Sequence, residues 1–409
     1  MSRGDVVGRD GERMRTHTRS AGLVLVAVAL LAGSAACTPS SAPLAARNAV
    51  DTEQQALPAA TISFTPETAT GDVNPGEPVV VNVADGRLTS VLLTGPKERV
   101  LAGDLAPDGS SWTSTDPLKL DSHYRIAAVA VDAAGLETER SGYFATVAPR
   151  AELETSISPL HGQSVGVGMP VVVRFSERVK NRAAVEAALT VKSSTPVVGS
   201  WSWVSDEEVH YRPKQFWPAY AKVRVDVDLK GVNAGRGVWG MRDRTIKFQT
   251  GSSMVSVVDV DRLTLTVYRN GEVARVIPVS TGKAGFLTRN GTKVILEKHE
   301  LKVMDATTIG ISPDDPEYYR LDVPYAMRVT WSGEFVHAAP WSVGSQGREN
   351  VSHGCVGMSP ADAIWLYNLS TVGDVIQVVG SPCPLEPGNG YTDWNVSWAD
   401  WTAGSALQG

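Results

Sequence analysis

Apolar and polar positions divide the chain into three β-patterned stretches. From about residue 60 to 147, apolar runs at 78–83, 88–93 and 124–131 carry several β-branched side chains, and Asp85-Gly86 and Ala134-Gly135 bound them as turns. Short strands punctuated in this way predict a small β-sandwich. A second unit, about 148–250, repeats the pattern at 171–177, 208–213, 223–227 and 245–248. In 223–227 the alternation predicts Val223, Val225 and Val227 facing inward, with Arg224 and Asp226 in solvent. The third unit, about 251–380, opens with runs at 263–268 and 272–277 joined by Asn270-Gly271. Asn-Gly between alternating runs predicts a hairpin, because both central residues of a type I′ turn need positive φ. Near its end, Ser359-Pro360-Ala361-Asp362 predicts a helix start. Serine caps it, proline fits the first turn, and Asp362 completes a capping box. Residues 375–379 predict a closing strand. In the tail, 381–409, Trp394, Trp398 and Trp401 fall at helical spacing. They predict a short helix packed on the third unit; the other reading is a platform for glycans.

The N-terminal 37 residues read as an export signal. Arg9, Arg13, Arg15 and Arg19 precede an apolar run at 23–32. That run is shorter than the roughly 20 residues a spanning helix needs. Residues 31–37 look like a bacterial lipoprotein signal in which Cys37 becomes the lipidated first residue, although Ser34 stands where such signals prefer an aliphatic side chain. The other reading is an ordinary cleaved signal with an incidental cysteine. Residues 38–59, rich in Ala, Ser, Pro and Gln, read as a linker. Extended at about 3.3 Å per residue, the linker reaches on the order of 70 Å. The protein is thus expected to be exported to the outer face of the cell membrane.

A length of 409 residues leaves room for several domains, and 20% charged residues suits globular ones. The net charge of −6 and the lack of a basic run interleaved with aromatics argue against nucleic acid as a partner. No phosphate-binding glycine motif is present.

The chemistry concentrates around one of the three cysteines. His337 lies in the stretch 335–341, and Ser352-His353-Gly354-Cys355 follows. A thiol needs a base or a cation to act as a nucleophile near neutral pH, and imidazole can be either. Gly354 allows a tight turn that can aim backbone N–H groups at an oxyanion. A Cys355–Cys383 disulfide would block this thiol and is not expected. Zinc held by His299, His337, His353 and Cys355 is a competing reading, but the recognised ligand spacings are absent. No metal or cofactor is expected. The surroundings of a papain-type cysteine are absent too.

The ordered histidine, loop and Ser-His-Gly-Cys resemble the active-site signature of L,D-transpeptidases. Residues 278–283 and 290–293 resemble that family's earlier motifs, and the resemblance covers nearly all of the third unit. The two preceding units resemble the immunoglobulin-like domains found before such catalytic domains. The implied fold is mainly β: a signal over 1–37, a linker over 38–59, immunoglobulin-like sandwiches over 60–147 and 148–250, a catalytic domain with short helices over 251–380, and a cap over 381–409. Both sandwiches are read as spacers. The implied activity is 3→3 cross-linking of peptidoglycan stem peptides through a Cys355 thioester, with release of D-Ala. His337 would be the base, oriented by the Ala338 carbonyl. His353 would hold the loop and stabilise thiolate, and N–H groups at Gly354 and Cys355 would bind the oxyanion. Met304, Tyr319, Trp341 and Ser352 match positions lining the family's pocket, with the stretch 304–319 as a lid. Gly357 departs from the asparagine many relatives carry. The alternative is an inactive or weakly active wall-binding lipoprotein.

Overall fold

The computed structural model describes residues 57–407. The export signal, Cys37 and all but the end of the linker lie outside the described residues.

The first sandwich packs a four-stranded sheet, ordered Thr61–Thr65, Val80–Ala84, Ser111–Ser114, Gly103–Leu105, against a five-stranded one centred on His123–Val131. Alternation explains the core. Along His123–Val131, Tyr124, Ile126, Ala128 and Ala130 are buried while their neighbours are not. They meet Val81, Leu93, Trp112 and Phe144 in a core whose members all fall within 60–144. Its strands pair only with one another.

The second sandwich faces Thr155–Ser158, Val171–Phe175, Glu208–Pro213 and Gly199–Trp203 against Ser164–Val165, Asp243–Thr250, Lys222–Asp228 and Leu189–Ser193. Val223, Val225 and Val227 point inward as expected, but Asp226 is not in solvent. It is 8% exposed, because Arg224 Nε donates to it at 2.8 Å and Thr245 Oγ1 at 2.6 Å, folding over the carboxylate.

The third unit has two sheets. A five-stranded sheet runs Glu272–Pro278, Thr264–Arg269, Met254–Asp259, Val375–Val379, Gly291–Val294; a four-stranded one runs Glu297–Asp305, Arg320–Arg328, Phe335–Ala338, Val356–Met358. Asn270 and Gly271 adopt φ of 51° and 90°, the turn their sequence predicts. Pro360–Leu369 is helical, with Ser359 Oγ accepting the Asp362 N–H at 3.2 Å. The Asp362 carboxylate does not complete a reciprocal box. It accepts instead from Ser359 Oγ at 2.7 Å and Arg275 Nη1 at 3.0 Å.

Two expectations need correction. The tail's helix does not pack on the third unit but on the second sandwich. Only Trp398–Ala403 is α-helical, and Trp394 sits in a separate 3₁₀ turn, Asp393–Asn395. The reason is Arg212, on the second sandwich. Its guanidinium lies over the rings of Trp394, Trp398 and Trp401 at 5.0, 5.3 and 4.7 Å. Such contacts contribute ~0.5–2 kcal/mol each, more when desolvated as here. Trp401 Nε1 donates to Ser200 O at 3.0 Å and Trp394 Nε1 to Gly168 O at 2.7 Å, both carbonyls of the same sandwich. Nor is the second sandwich a free spacer. Val375 of the third unit belongs to its core, with Val255 and Tyr391 packed against it. Gly166 and Gly168 donate N–H to Val372 O at 2.8 Å and Gly373 O at 2.9 Å. A Cβ on Gly166 would lie 2.0 Å from Asp374 N, so only glycine permits that approach.

A histidine strengthens the same junction. His210, 6% exposed, places Nδ1 2.6 Å from Asp393 and Nε2 2.6 Å from Glu208. Burial opposes its charge, but Asp393 and then Glu208 outweigh that and raise its pKa to about 9. Arg174 shares Glu208, and Arg212 stands near Asp393. A raised pKa stabilises fully below the unfolded value of 6.5 and fades as pH rises through about 9. At about 1.4 kcal/mol per unit the effect is on the order of 3 kcal/mol. The melting-temperature gap between wild type and His210→Gln is therefore expected to be largest near pH 6 and to close by pH 10, measured by thermal denaturation across that range.

Candidate active site

Strand Phe335–Ala338 runs antiparallel to Arg320–Arg328 and parallel to Val356–Met358. All four of its residues are buried, so its register is fixed by packing on both faces. That register sets His337 opposite Gly357 and leaves Cys355 one residue ahead of the ladder, beside the histidine strand.

The turn into Cys355 is built by its own residues. Gly354 has φ of 114°, a region that disfavours side chains. Ser352 Oγ donates to Cys355 O at 2.6 Å and accepts the Gly354 N–H at 3.1 Å. This corrects one expectation. The Gly354 N–H is satisfied within the loop and does not face an oxyanion, while Ser352 lines the cavity with its hydroxyl bonded to the loop. Among the described residues, no backbone carbonyl or side chain accepts the Cys355 N–H.

His337 is 5% exposed, and its Nδ1 lies 2.7 Å from Ala338 O. A carbonyl can only accept, so Nδ1 carries the proton and Nε2 keeps a lone pair. Burial lowers the imidazole to about 4, against the opposing pull of the Ala338 carbonyl, so the ring is neutral. Burial likewise pushes the Cys355 thiol up to about 12. The Phe335 N–H lowers it, Glu334 adds to the rise, and Lys293 and Arg328 oppose. The resting pair is thus a neutral thiol and a neutral base, not a thiolate–imidazolium pair.

One cavity of about 240 Å³ takes in Cys355, His337, His353, Met304, Tyr319, Trp341, Ser352 and Gly357. Trp341 is half exposed and its ring lies 5.9 Å from that of His337. Burial, then the nearby Cys355, raises the Tyr319 hydroxyl to about 12. At Gly357 a Cβ would lie 2.9 Å from Ala339 Cβ, so this wall of the cavity has no room for a side chain without movement. His353 shares the cavity with Cys355 and is held by other groups: Nε2 meets Glu317 at 2.8 Å, and its ring packs on Phe286 at 4.4 Å and Tyr319 at 5.0 Å. Lys283 Nζ also reaches Glu317 at 2.6 Å. His353 therefore ties the cysteine loop to the stretch 304–319, where Ala306–Ile309 forms a 3₁₀ turn capped by Asp305.

His299 pairs with Glu297 and lies outside this cavity, and among the described residues no group of three or more His, Cys, Asp or Glu is arranged to hold a metal ion. Cys383 and Cys355 are both free. Sequence reasoning missed Leu321 and Val323, which form an apolar wall of the cavity and alternate along a strand it did not identify. It marked the stretches 290–293 and 304–319 but not the pairing of Lys293, Glu317 or Glu334. Each finds its partner tens of residues away, so no local pattern marks the pair.

Comparison with known proteins agrees with this architecture. Residues 70–233 match a family model described as a bacterial Ig domain, and 253–378 one described as an L,D-transpeptidase catalytic domain. The chain is 36% identical over 406 residues to L,D-transpeptidase 2 of Mycobacterium tuberculosis (strain CDC 1551 / Oshkosh), covering 98% of this chain and 99% of that protein. It is 35% identical to L,D-transpeptidase 5 of Mycobacterium tuberculosis (strain ATCC 25618 / H37Rv) over 363 residues, 87% of this chain and 79% of that one. A solved L,D-transpeptidase in complex with imipenem is 40% identical across 56% of this chain and 99% of its own, with a TM-score of 0.49. Identity of 36% sustained over 98% of this chain and 99% of that relative is a property of homologues, and this chain belongs to the L,D-transpeptidase family.

Proposed function

We propose that this protein forms 3→3 peptidoglycan cross-links through a Cys355 thioester. The observation that carries the reading is the His337 tautomer. With Nδ1–H held by Ala338 O, Nε2 is free to accept a proton in the cavity that also holds Cys355. Because the thiol is raised and the base is lowered, proton transfer accompanies attack and does not precede it.

The sulfur attacks the carbonyl of the third residue of a stem tetrapeptide while its proton passes to His337 Nε2. Collapse of the tetrahedral intermediate breaks the amide bond, and the proton leaves with D-Ala. The side-chain amine of a second stem then attacks the thioester. Its proton passes through His337 back to the sulfur, which departs as the thiol. The Cys355 N–H supports the oxyanion. Met304, Tyr319, Leu321 and Val323 give the donor an apolar wall, and Trp341 flanks its entrance. Intact-mass analysis of the enzyme with purified tetrapeptide muropeptide tests the reading. It expects an acyl-enzyme lacking D-Ala, then a cross-linked dimer. A hydrolysed tripeptide without dimer, or no adduct, would overturn it.

His337→Ala should lower acylation by roughly 10²–10⁴, the range of a general base. Stopped-flow measurement with a carbapenem checks this, since an L,D-transpeptidase relative is known in complex with imipenem. A near-wild-type rate would shift the base role to His353.

The export signal and Cys37 support a lipid-anchored enzyme on the outer face of the membrane. Cys37→Ala should move the protein from the membrane fraction to the soluble one. Equal retention of both forms, with no acyl mass on the mature N-terminus, would exclude the anchor.

A further inference from the structure

Beneath the cysteine turn lies an ion pair that the proposed chemistry does not use. Lys293, on strand Gly291–Val294, is 1% exposed and Glu334 is 4% exposed. Lys293 Nζ reaches Glu334 Oε2 at 2.5 Å. Glu334 Oε1 accepts the Arg289 backbone N–H at 2.9 Å and Arg289 Nη1 at 3.2 Å, and Arg289 continues to Glu386 at 2.6 Å. The Glu334 N–H is held by Thr330 Oγ1 at 2.9 Å. Burying two charges is costly, and an apolar pair of similar volume often stabilises as well or better. Stability alone is therefore a weak reason for this pair.

Its position supplies a stronger one. The residues flanking Glu334 are the ones that hold the sulfur: Cys355 Sγ faces Gly333 O at 3.8 Å, and the Phe335 N–H favours its ionised form. A Cβ on Gly354 would sit 3.6 Å from Glu334 Oε1, so the carboxylate lies directly under the turn. We infer that the Lys293–Glu334 pair is a positioning device for the Cys355 thiol, holding the Gly333–Phe335 backbone against the sulfur and fixing the charge beneath it. The charged and titratable groups around the sulfur are Glu334, Lys293, Arg328, Tyr319, His337 and His353. Of these, Glu334 disfavours the thiolate, while Lys293 and Arg328 favour it.

The inference rests on Cys355 being the acylated residue, and two readouts separate the claims. The first is alkylation of Cys355 by iodoacetamide against pH, in full-length protein carrying Cys383→Ser. It reports thiol ionisation whether or not the protein acylates. Glu334→Gln keeps the side chain's shape but removes the negative charge that disfavours the thiolate, so alkylation at pH 7 should rise by about tenfold and its pH midpoint should fall. The second is the first-order rate of carbapenem acylation in the apolar double variant Lys293→Met/Glu334→Leu. That variant should fold, with a melting temperature lowered only by the loss of the acceptor for the Arg289 N–H, yet acylate at least about tenfold more slowly, with little change in carbapenem affinity. An unmoved alkylation midpoint in Glu334→Gln would overturn the inference, and so would wild-type acylation by a folded double variant. Failure of the wild-type protein to be acylated would sink the proposed function instead, and the alkylation result would still stand.

Discussion

Cys355→Ser will fold and fail to acylate. Acylation should drop by a factor on the order of 10⁵, the scale on which losing the nucleophile acts in covalent catalysis. Serine is the more demanding test than alanine, because it keeps an attacking oxygen in the same place. The cavity explains why it should still fail. Burial already pushes the thiol up to about 12, and His337, lowered to about 4, is a weak base. Such a base can assist a soft, polarizable sulfur as it attacks, but a hydroxyl is far harder to deprotonate. The fold should survive. Cys355 is 9% exposed, and the Gly333 carbonyl that faces the sulfur can accept a serine proton, so destabilisation should stay within the ~1–3 kcal/mol of an imperfectly satisfied buried hydroxyl. Intact mass after exposure to a carbapenem, with circular dichroism on the same sample, reads both outcomes. A serine variant that acylates at a rate comparable to wild type would remove Cys355 from the chemistry.

The candidate site around Cys355 was legible because its residues are local in sequence. Cys355, His353, Gly354 and Ser352 are consecutive, and His337 lies on the one strand that pairs in parallel with the strand after Cys355. Strands whose one face meets a core, such as His123–Val131 and Lys222–Asp228, could likewise be read from alternation. What could not be read depends on partners distant in the chain. Asp226 looks like a solvent position until Arg224 and Thr245 fold over it. Met254–Asp259 is invisible by pattern next to the hairpin it joins, because its parallel partner Val375–Val379 arrives more than a hundred residues later. The tail shows the same limit. Its three indoles fall at helical spacing, yet only Trp398 and Trp401 share a helix, and Arg212 decides where all three pack. Glu334 and Lys293, 41 residues apart, carry no sequence signal as a pair.

The shared core changes what a truncation should do. A chain beginning at Pro149 should fold and be acylated by a carbapenem at the full-length rate. The first sandwich has a core of its own and strands that pair only with one another, and none of its residues lines the Cys355 cavity. A chain beginning at Ser252 should not behave this way. Removing the second sandwich uncovers Val375 and Val255, takes Phe216 from the Trp394 ring 4.6 Å away, and strips Arg212 from all three tail indoles. Fully exposing even a few such side chains costs about 1.5–3 kcal/mol each, against a total of about 5–15 kcal/mol for a typical domain. The backbone bonds from Gly166 and Gly168 also vanish, leaving the loop at 372–374 without its partners ahead of the closing strand. The Ser252 form should therefore aggregate, or melt at least about 10 °C below the Pro149 form, and its carbapenem labelling should fall with its folded fraction. Thermal denaturation and intact mass on the two truncations give the comparison. A Ser252 form that melts and labels like the Pro149 form would mean that the second sandwich is a spacer after all.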